Sequence, residues 1–349
     1  MRRALAATAL ALAAPVAFAQ ATVTPQDSGV QVRLRGISAV DANTAWASGR
    51  EGTVLRTLDG GAHWTNVSVP DAKSLDFRDI EGFDADTAVV LSIGPGEASR
   101  VYRTEDGGKT WALTLKNDDE RAFFDCMVFE GDKGWMLGDP VDGRYQIRET
   151  QDGGRTWALQ ANGPEALKDE AAFAASGTCI ARADHQQVFI AGGGAASRVQ
   201  WSTPEGWHAL DTKMPNRIPA AGIFSMASLG GVVLLVGGDF EHEAVGSAAW
   251  VKLAAHGTYV EPLPPPRGYR SGAACFAFQR CIAVGPTGVD ALEPAPNARA
   301  KWRPLSDTGY DAIDIADGVA WASGDKGRIA RITASPGPSP STPAQAATP

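Results

Sequence analysis

The sequence predicts an all-β fold: a seven-bladed β-propeller of four-stranded antiparallel blades, closed by an N-terminal strand that completes the last blade. Three observations lead there. The stretch Arg56-Thr57-Leu58-Asp59-Gly60-Gly61-Ala62-His63-Trp64 recurs as Arg103-Thr-Glu-Asp106-Gly107-Gly108-Lys-Thr-Trp111 and as Glu149-Thr-Gln-Asp152-Gly153-Gly154-Arg-Thr-Trp157. The three tryptophans are 47 and 46 residues apart, a period that belongs to propellers, solenoids and arrays. The residues on either side, Val54-Leu55-Arg56-Thr57 and Trp64-Thr65-Asn66-Val67 in the first copy, read as short strands.

The motif itself is a hairpin turn. Its glycines reach positive φ without a Cβ clash, and its aspartate can accept bonds from turn N–H groups. Its tryptophan buries a large ring against the neighbouring unit.

Seven units follow in order. Unit one runs from Arg35-Gly-Ile-Ser-Ala-Val through Ala45-Trp46-Ala-Ser-Gly49 to the first turn. Unit two runs from Arg78 through Ala88-Val-Val-Leu-Ser92, and unit three from Phe124 through Gly134-Trp-Met-Leu-Gly138. Unit four runs from Gly177 through Val188-Phe-Ile-Ala-Gly192, with its turn reduced to Ser202-Thr-Pro-Glu-Gly-Trp207. Unit five runs from Ile223 through Val232 to Gly237, with Tyr259 at the tryptophan position. Unit six runs from Gly272 through Cys281 to Gly285, with Trp302. Unit seven, with Ala320-Trp-Ala-Ser-Gly324, echoes unit one and stops one strand short. Gly29-Val-Gln-Val-Arg-Leu34 alternates like a strand and is expected to supply it, which would close the ring and remove exposed sheet edges.

The ends read differently. Arg2 and Arg3, the apolar run Ala4 to Val16, and Ala17-Phe18-Ala19 form the three regions of a secretory signal peptide. The expected division is residues 1–19 as signal peptide, 20–334 as the propeller, and 335–349 as a disordered Pro/Ser/Ala-rich tail. The product is then periplasmic or secreted, and peripheral to a membrane at most. Losing two arginines and no acid takes the formal charge from −8 to −10, which argues against a nucleic-acid binder, since that would show a basic footprint.

Four cysteines in an exported chain permit two disulfides. Cys275 and Cys281 could face each other across a hairpin, and Cys126 and Cys179 fall at matching positions in neighbouring units. That pairing is preferred among the three that four cysteines allow. Neither a zinc spacing nor a cofactor motif is present. Asp239-Phe-Glu241-His242-Glu243 reads as an exposed acidic loop rather than a metal site.

In a four-stranded blade with strands A to D from the centre outward, these turns join C to D. The opposite face collects the A-strand starts and the B–C loops, where propellers usually bind. The A-strand starts carry Arg35, Arg78, Asp79, Asp125, Arg270 and Asp311. The B-strand ends and B–C loops carry Arg50, Asp139, Arg144, Asp239, His242 and Asp325. This mixed-sign collar on a rigid ring is the expected partner-binding face.

The Ser/Thr-x-Asp-x-Gly-x-x-Trp pattern resembles the Asp-box, or BNR, repeat of sialidases and related propellers, here with Asp59, Gly61 and Trp64, Asp106, Gly108 and Trp111, and Asp152, Gly154 and Trp157. With the Ala-Trp-Ala-Ser-Gly strand, it is also similar to exported propellers related to photosystem II stability and assembly factors. That resemblance spans most of residues 30–333 and is clearest in units one to three and seven. It implies a seven-bladed, non-catalytic propeller that binds a partner protein, with Arg35, Arg50 and Arg78 in the part of an arginine-rich patch. A monomer without cofactor is expected. The alternative is a sialidase-like glycoside hydrolase or a glycan-binding propeller. The sialidase reading implies an arginine triad, a tyrosine–glutamate pair and an aspartic acid. Here Arg217-Ile218-Pro219 follows all three turns, and Tyr269 and Tyr310 lack an obvious glutamate. A carboxylate pair alone is not readable from sequence, because many acids line the ring.

Overall fold

Seven antiparallel sheets make up the computed structural model, which describes residues 21–183, 187–254, 257–295 and 298–334. The expected signal peptide and the 335–349 tail lie outside the described residues. The innermost strands of blades 1 to 7 are Leu34–Ala39, Asp76–Gly82, Phe124–Glu130, Ile180–Ala183, Ile218–Leu229, Gly272–Ala277 and Ala312–Ala316. Each blade then steps outward through three more strands, and in blade 1 these are Ala45–Gly49, Val54–Thr57 and Thr65–Asn66. Blade 5 is extended on its inner side by two short strands, Gly193–Gly194 and Glu170–Ala171.

The ring closes as expected in kind but with a different strand. Ala21–Gln26, not Gly29–Leu34, is the outermost strand of blade 7, in register from Ala21↔Ala334 to Gln26↔Ile329. The physical reason is local. Asp27 accepts the Gly29 N–H at 3.0 Å and Ser28 Oγ the Val30 N–H at 3.3 Å, with Gly29 at φ 72°, so the chain turns there and Val30 to Arg33 lead into blade 1. Pro25 is tolerated because the strand is an edge, where a missing N–H costs no ladder bond.

Each hydrophobic cluster is shared by neighbouring blades. Leu34, Ala47 and Leu55 of blade 1 pack with Ala312, Trp321 and Ile329 of blade 7. The three Asp-Gly-Gly turns have one geometry. Thr57 Oγ1 accepts the Gly61 N–H at 2.9 Å, and Asp59 Oδ1 accepts both the Thr57 hydroxyl and the His63 N–H at 3.0 Å. Thr104 with Asp106 and Thr150 with Asp152 repeat it. The turn tryptophans cross to the preceding blade. Trp64 meets Trp321 edge-on at 5.7 Å, and Trp111 meets Trp46 at 6.5 Å.

Two disulfides join Cys126 to Cys179 and Cys275 to Cys281. The first ties blade 3 to the segment entering blade 4. The second lies across the inner hairpin of blade 6, between directly opposed residues. They fit an oxidising compartment. Among the described residues, no helix is long and apolar enough to cross a membrane.

Candidate functional site

Four of the seven innermost strands break register at the same place. The interruption falls between Leu34 and Gly36, Phe77 and Asp79, Phe124 and Cys126, and Ile223 and Ser225. The extra residues are therefore Arg35, Arg78, Asp125 and Phe224. A β-bulge re-aims a side chain, and all four line one cavity of about 490 Å³ at the mouth of the central channel. Arg33, Asp139, Phe173, Phe240, Glu243, Tyr269 and Asp311 complete its walls.

The cavity is divided in character. On one side, Asp311 holds Arg33 through two bonds of 2.6 and 2.8 Å, and Arg35 Nε lies 3.9 Å from the same carboxylate. Arg35 is 7 % exposed, and its Nε has no hydrogen-bond partner among the described residues. Burial, then the neighbouring Arg78 charge, push its pKa down to about 9, against the pull of Asp311. At neutral pH it is a buried, under-compensated cation, which an anion would stabilise. Burial also lowers Arg78, against Asp76, which it meets at 3.2 Å. Nearby, burial raises Asp125 well above the usual carboxylate range, helped by Asp139, and Asp125 Oδ2 is buried without a partner among the described residues. Burial raises Asp139 too, although its Oδ1 accepts the Ala172 N–H at 3.0 Å.

The other side is aromatic. Phe173 stacks on Phe224 with centroids 3.9 Å apart, and Tyr269 and Phe240 meet Phe224 edge-on at 4.7 and 6.1 Å. Phe240 is 45 % exposed. The segment from Ala172 to Ala175 crosses between the two sides. Arg78 donates to the Ala174 carbonyl and Arg35 to that of Ala175 at 3.4 Å. The collar thus anchors a strap while keeping the Arg35 Nε and Asp125 Oδ2 atoms unsatisfied.

The collar residues read from sequence divide accordingly. Arg35, Arg78, Asp125, Asp139 and Asp311 come together in the cavity. Arg50 lies outside it, half-exposed, 3.6 Å from Asp76. Asp79 sits buried deeper in the channel and accepts the Met127 N–H at 2.6 Å. Arg144 pairs with Glu165 at 2.7 Å on the flank of blade 3. Asp239 shapes its loop, accepting the Glu241 and His242 N–H groups and meeting His242 Nδ1 at 2.7 Å. Arg270 is fully buried on Asp290. Asp325 is half-buried beside the cavity, and its charge helps raise Arg33. The expected collar held charges only, so Phe173, Phe224 and Phe240 were missed, and Tyr269 entered only as a sialidase-type tyrosine. The signal for Phe224 was present: Ile223-Phe224-Ser225 occupies the register of Phe77-Arg78-Asp79.

No family model matches the sequence, and no curated protein matches it. Solved structures do. A structure described as YCF48 bound to D1 peptide is 14 % identical with a TM-score of 0.64, covering 90 % of this chain and 97 % of that one. YCF48 from Cyanidioschyzon merolae is 15 % identical with a TM-score of 0.63, covering 89 % and 99 %. A catalytically inactive virginiamycin B lyase from Staphylococcus aureus with quinupristin is 14 % identical with a TM-score of 0.64, covering 90 % and 99 %. At this identity the likeness establishes the fold and leaves function to the site.

Proposed function

We propose that the chain is an exported, non-catalytic Asp-box propeller that binds a partner protein at the channel mouth, as an assembly or stability factor for an envelope complex. The observation that carries this is the cavity itself. An under-compensated Arg35 beside Arg78 faces an aromatic wall across one opening. That pairing suits a peptide segment carrying a carboxylate next to an apolar side chain. A propeller of like fold was solved with a peptide bound, which supports the class of ligand but not its identity. In this reading the protein acts as a monomer after loss of residues 1–19.

The test is a cross-linked pull-down of the mature protein from its own periplasm and membranes. Arg35→Glu with Arg78→Glu is expected to lose a captured envelope-complex subunit while staying folded. Arg50→Glu, outside the cavity, is expected to keep it. Loss with Arg50→Glu alone, or an unchanged set with the double variant, overturns the proposal.

A second reading rests on Asp125 and Asp139. Both carboxyls line one opening, and a pair of carboxyl groups, one protonated and one ionised, is what a glycoside hydrolase needs. Turnover of a glycoside that disappears in Asp125→Asn would favour it.

A further inference from the structure

Away from the channel mouth, a slot of about 320 Å³ opens between blades 3 and 4. Its origin is visible in the repeat. In blades 1, 2 and 7 the second and third strands place an arginine in one registered pair: Trp46↔Arg56, Val89↔Arg103 and Trp321↔Arg331. In each case the arginine reaches the next blade. Arg56 donates to the Ala85 carbonyl, Arg103 to that of Gly153 and Arg331 to that of Ala42. Two of them also lie over the paired tryptophan ring, at 5.4 and 5.8 Å. Blade 3, like blades 4 to 6, lacks that arginine. The pair is Trp135↔Glu149, and the neighbouring blade 4 has a tight turn at Thr203↔Gly206 where the Asp-Gly-Gly loop would stand. Neither the long arginine nor the full loop fills the seam.

What lines the opening is a set of aromatic and polar groups with one carboxylate and no basic side chain: Trp135, Trp207, Glu149, Gln160, Asn162 and Thr203. Glu149 Oε1 accepts the Trp135 indole N–H at 2.6 Å and is bonded by the Gln160 amide. The Asn162 side chain is exposed, and among the described residues neither it nor the Trp207 indole N–H makes a hydrogen bond. We infer that this slot is a carbohydrate-binding site, taking one sugar ring of a neutral glycan between Trp207 and the Glu149–Gln160–Asn162 edge. A sugar presents an apolar face of C–H groups and a rim of hydroxyls that each donate and accept. An indole suits the face. A carboxylate and two amides, with both donors and acceptors, suit the rim. A cationic side chain suits it less, because Arg182 already lies over Trp135, its guanidinium carbon 4.4 Å from the ring centroid. The slot's volume sits at the lower end of the roughly 300–1,000 Å³ typical of small-ligand sites.

The test is isothermal titration of the full mature chain with cellohexaose, chitohexaose and maltohexaose, and with oligolysine. At least one glycan is expected to bind with a Kd below about 1 mM. Trp207→Ala and Asn162→Ala are each expected to weaken it about tenfold or more, consistent with loss of a stacked ring or of a ligand hydrogen bond. Asn162→Ala guards against misfolding, because that side chain is exposed and makes no hydrogen bond among the described residues. Arg78→Glu is expected to bind the same glycan unchanged. The inference falls if none of the three glycans binds, if both slot variants bind as the parent does, or if oligolysine binds instead and is lost in those variants.

Discussion

Removing the Cys126–Cys179 disulfide is expected to destabilise the ring far more than removing Cys275–Cys281. The two bonds close loops of very different length, 53 and 6 residues in sequence separation. In the chain-entropy treatment, the longer loop restricts the unfolded chain by about 14 cal/mol/K, or about 4 kcal/mol at 25 °C. The same expression gives about 2 kcal/mol for the shorter one, an upper figure because the blade 6 hairpin already holds those residues opposite each other. With about 2 cal/mol/K of unfolding entropy per residue, a 4 kcal/mol loss in a chain of this size lowers Tm by about 6 °C. The assay is calorimetric or guanidinium unfolding of Cys126→Ala/Cys179→Ala and Cys275→Ala/Cys281→Ala beside the parent. Both cysteines of the long bridge are fully buried, so a small cavity term adds to the loss. Equal losses for the two pairs, or a loss below about 1 kcal/mol for the longer one, would refute the entropic reasoning.

Acid should stabilise the ring. Burial pushes Asp79 up to about 8 and Asp314 up to about 6, and burial with the Asp79 charge raises Glu81 as well. The folded state holds these protons where an unfolded carboxyl, with a pKa near 4, has released them. Stability from this group is therefore full below about pH 4 and declines as pH rises through the folded values. Tm is expected to be higher at pH 5 than at pH 8.5, with Asp79→Asn narrowing the gap; a parent Tm that rises over that interval contradicts the assignment. Gly177→Ala is expected to cost about 2 kcal/mol or more in chemical denaturation, because the residue sits at φ +80° and a Cβ would lie 2.2 Å from Asp79 Oδ1. A neutral substitution there would mean that the channel wall yields more than its packing implies.

Much of the fold was legible because the repeat writes its own constraints. An Asp-Gly-Gly turn needs its glycines, and φ values of 73° and 82° at Gly60 and Gly61 show why. Blades 4 to 6 lost that turn but kept their buried second strands, which was enough to count them. The closing strand was misplaced because Thr22 to Gln26 and Val30 to Leu34 are both short and rich in β-branched residues. Only the turn at Asp27 to Gly29 and the register with Ile329 to Ala334 separate them. At the site, Arg35, Arg78 and Asp125 could be found because each follows a buried Leu or Phe at the start of a strand. Arg270 could not be told apart from them, since its partner Asp290 lies two strands along in the same blade. Phe173 was beyond reach for another reason. Its place depends on the strap from Ala172 to Ala175, which is held by residues of three other blades.

The most direct test of partner binding at the channel mouth is site-specific photo-cross-linking in native membranes. A photoreactive phenylalanine analogue would replace Phe240, at the exposed edge of the cavity, or Leu113, which follows the second Asp-Gly-Gly turn and is 48 % exposed. The account predicts that one partner polypeptide is trapped from position 240, is absent from position 113, and disappears when Arg35 and Arg78 are reversed to glutamate. The same partner trapped from position 113 and not from 240 would contradict it.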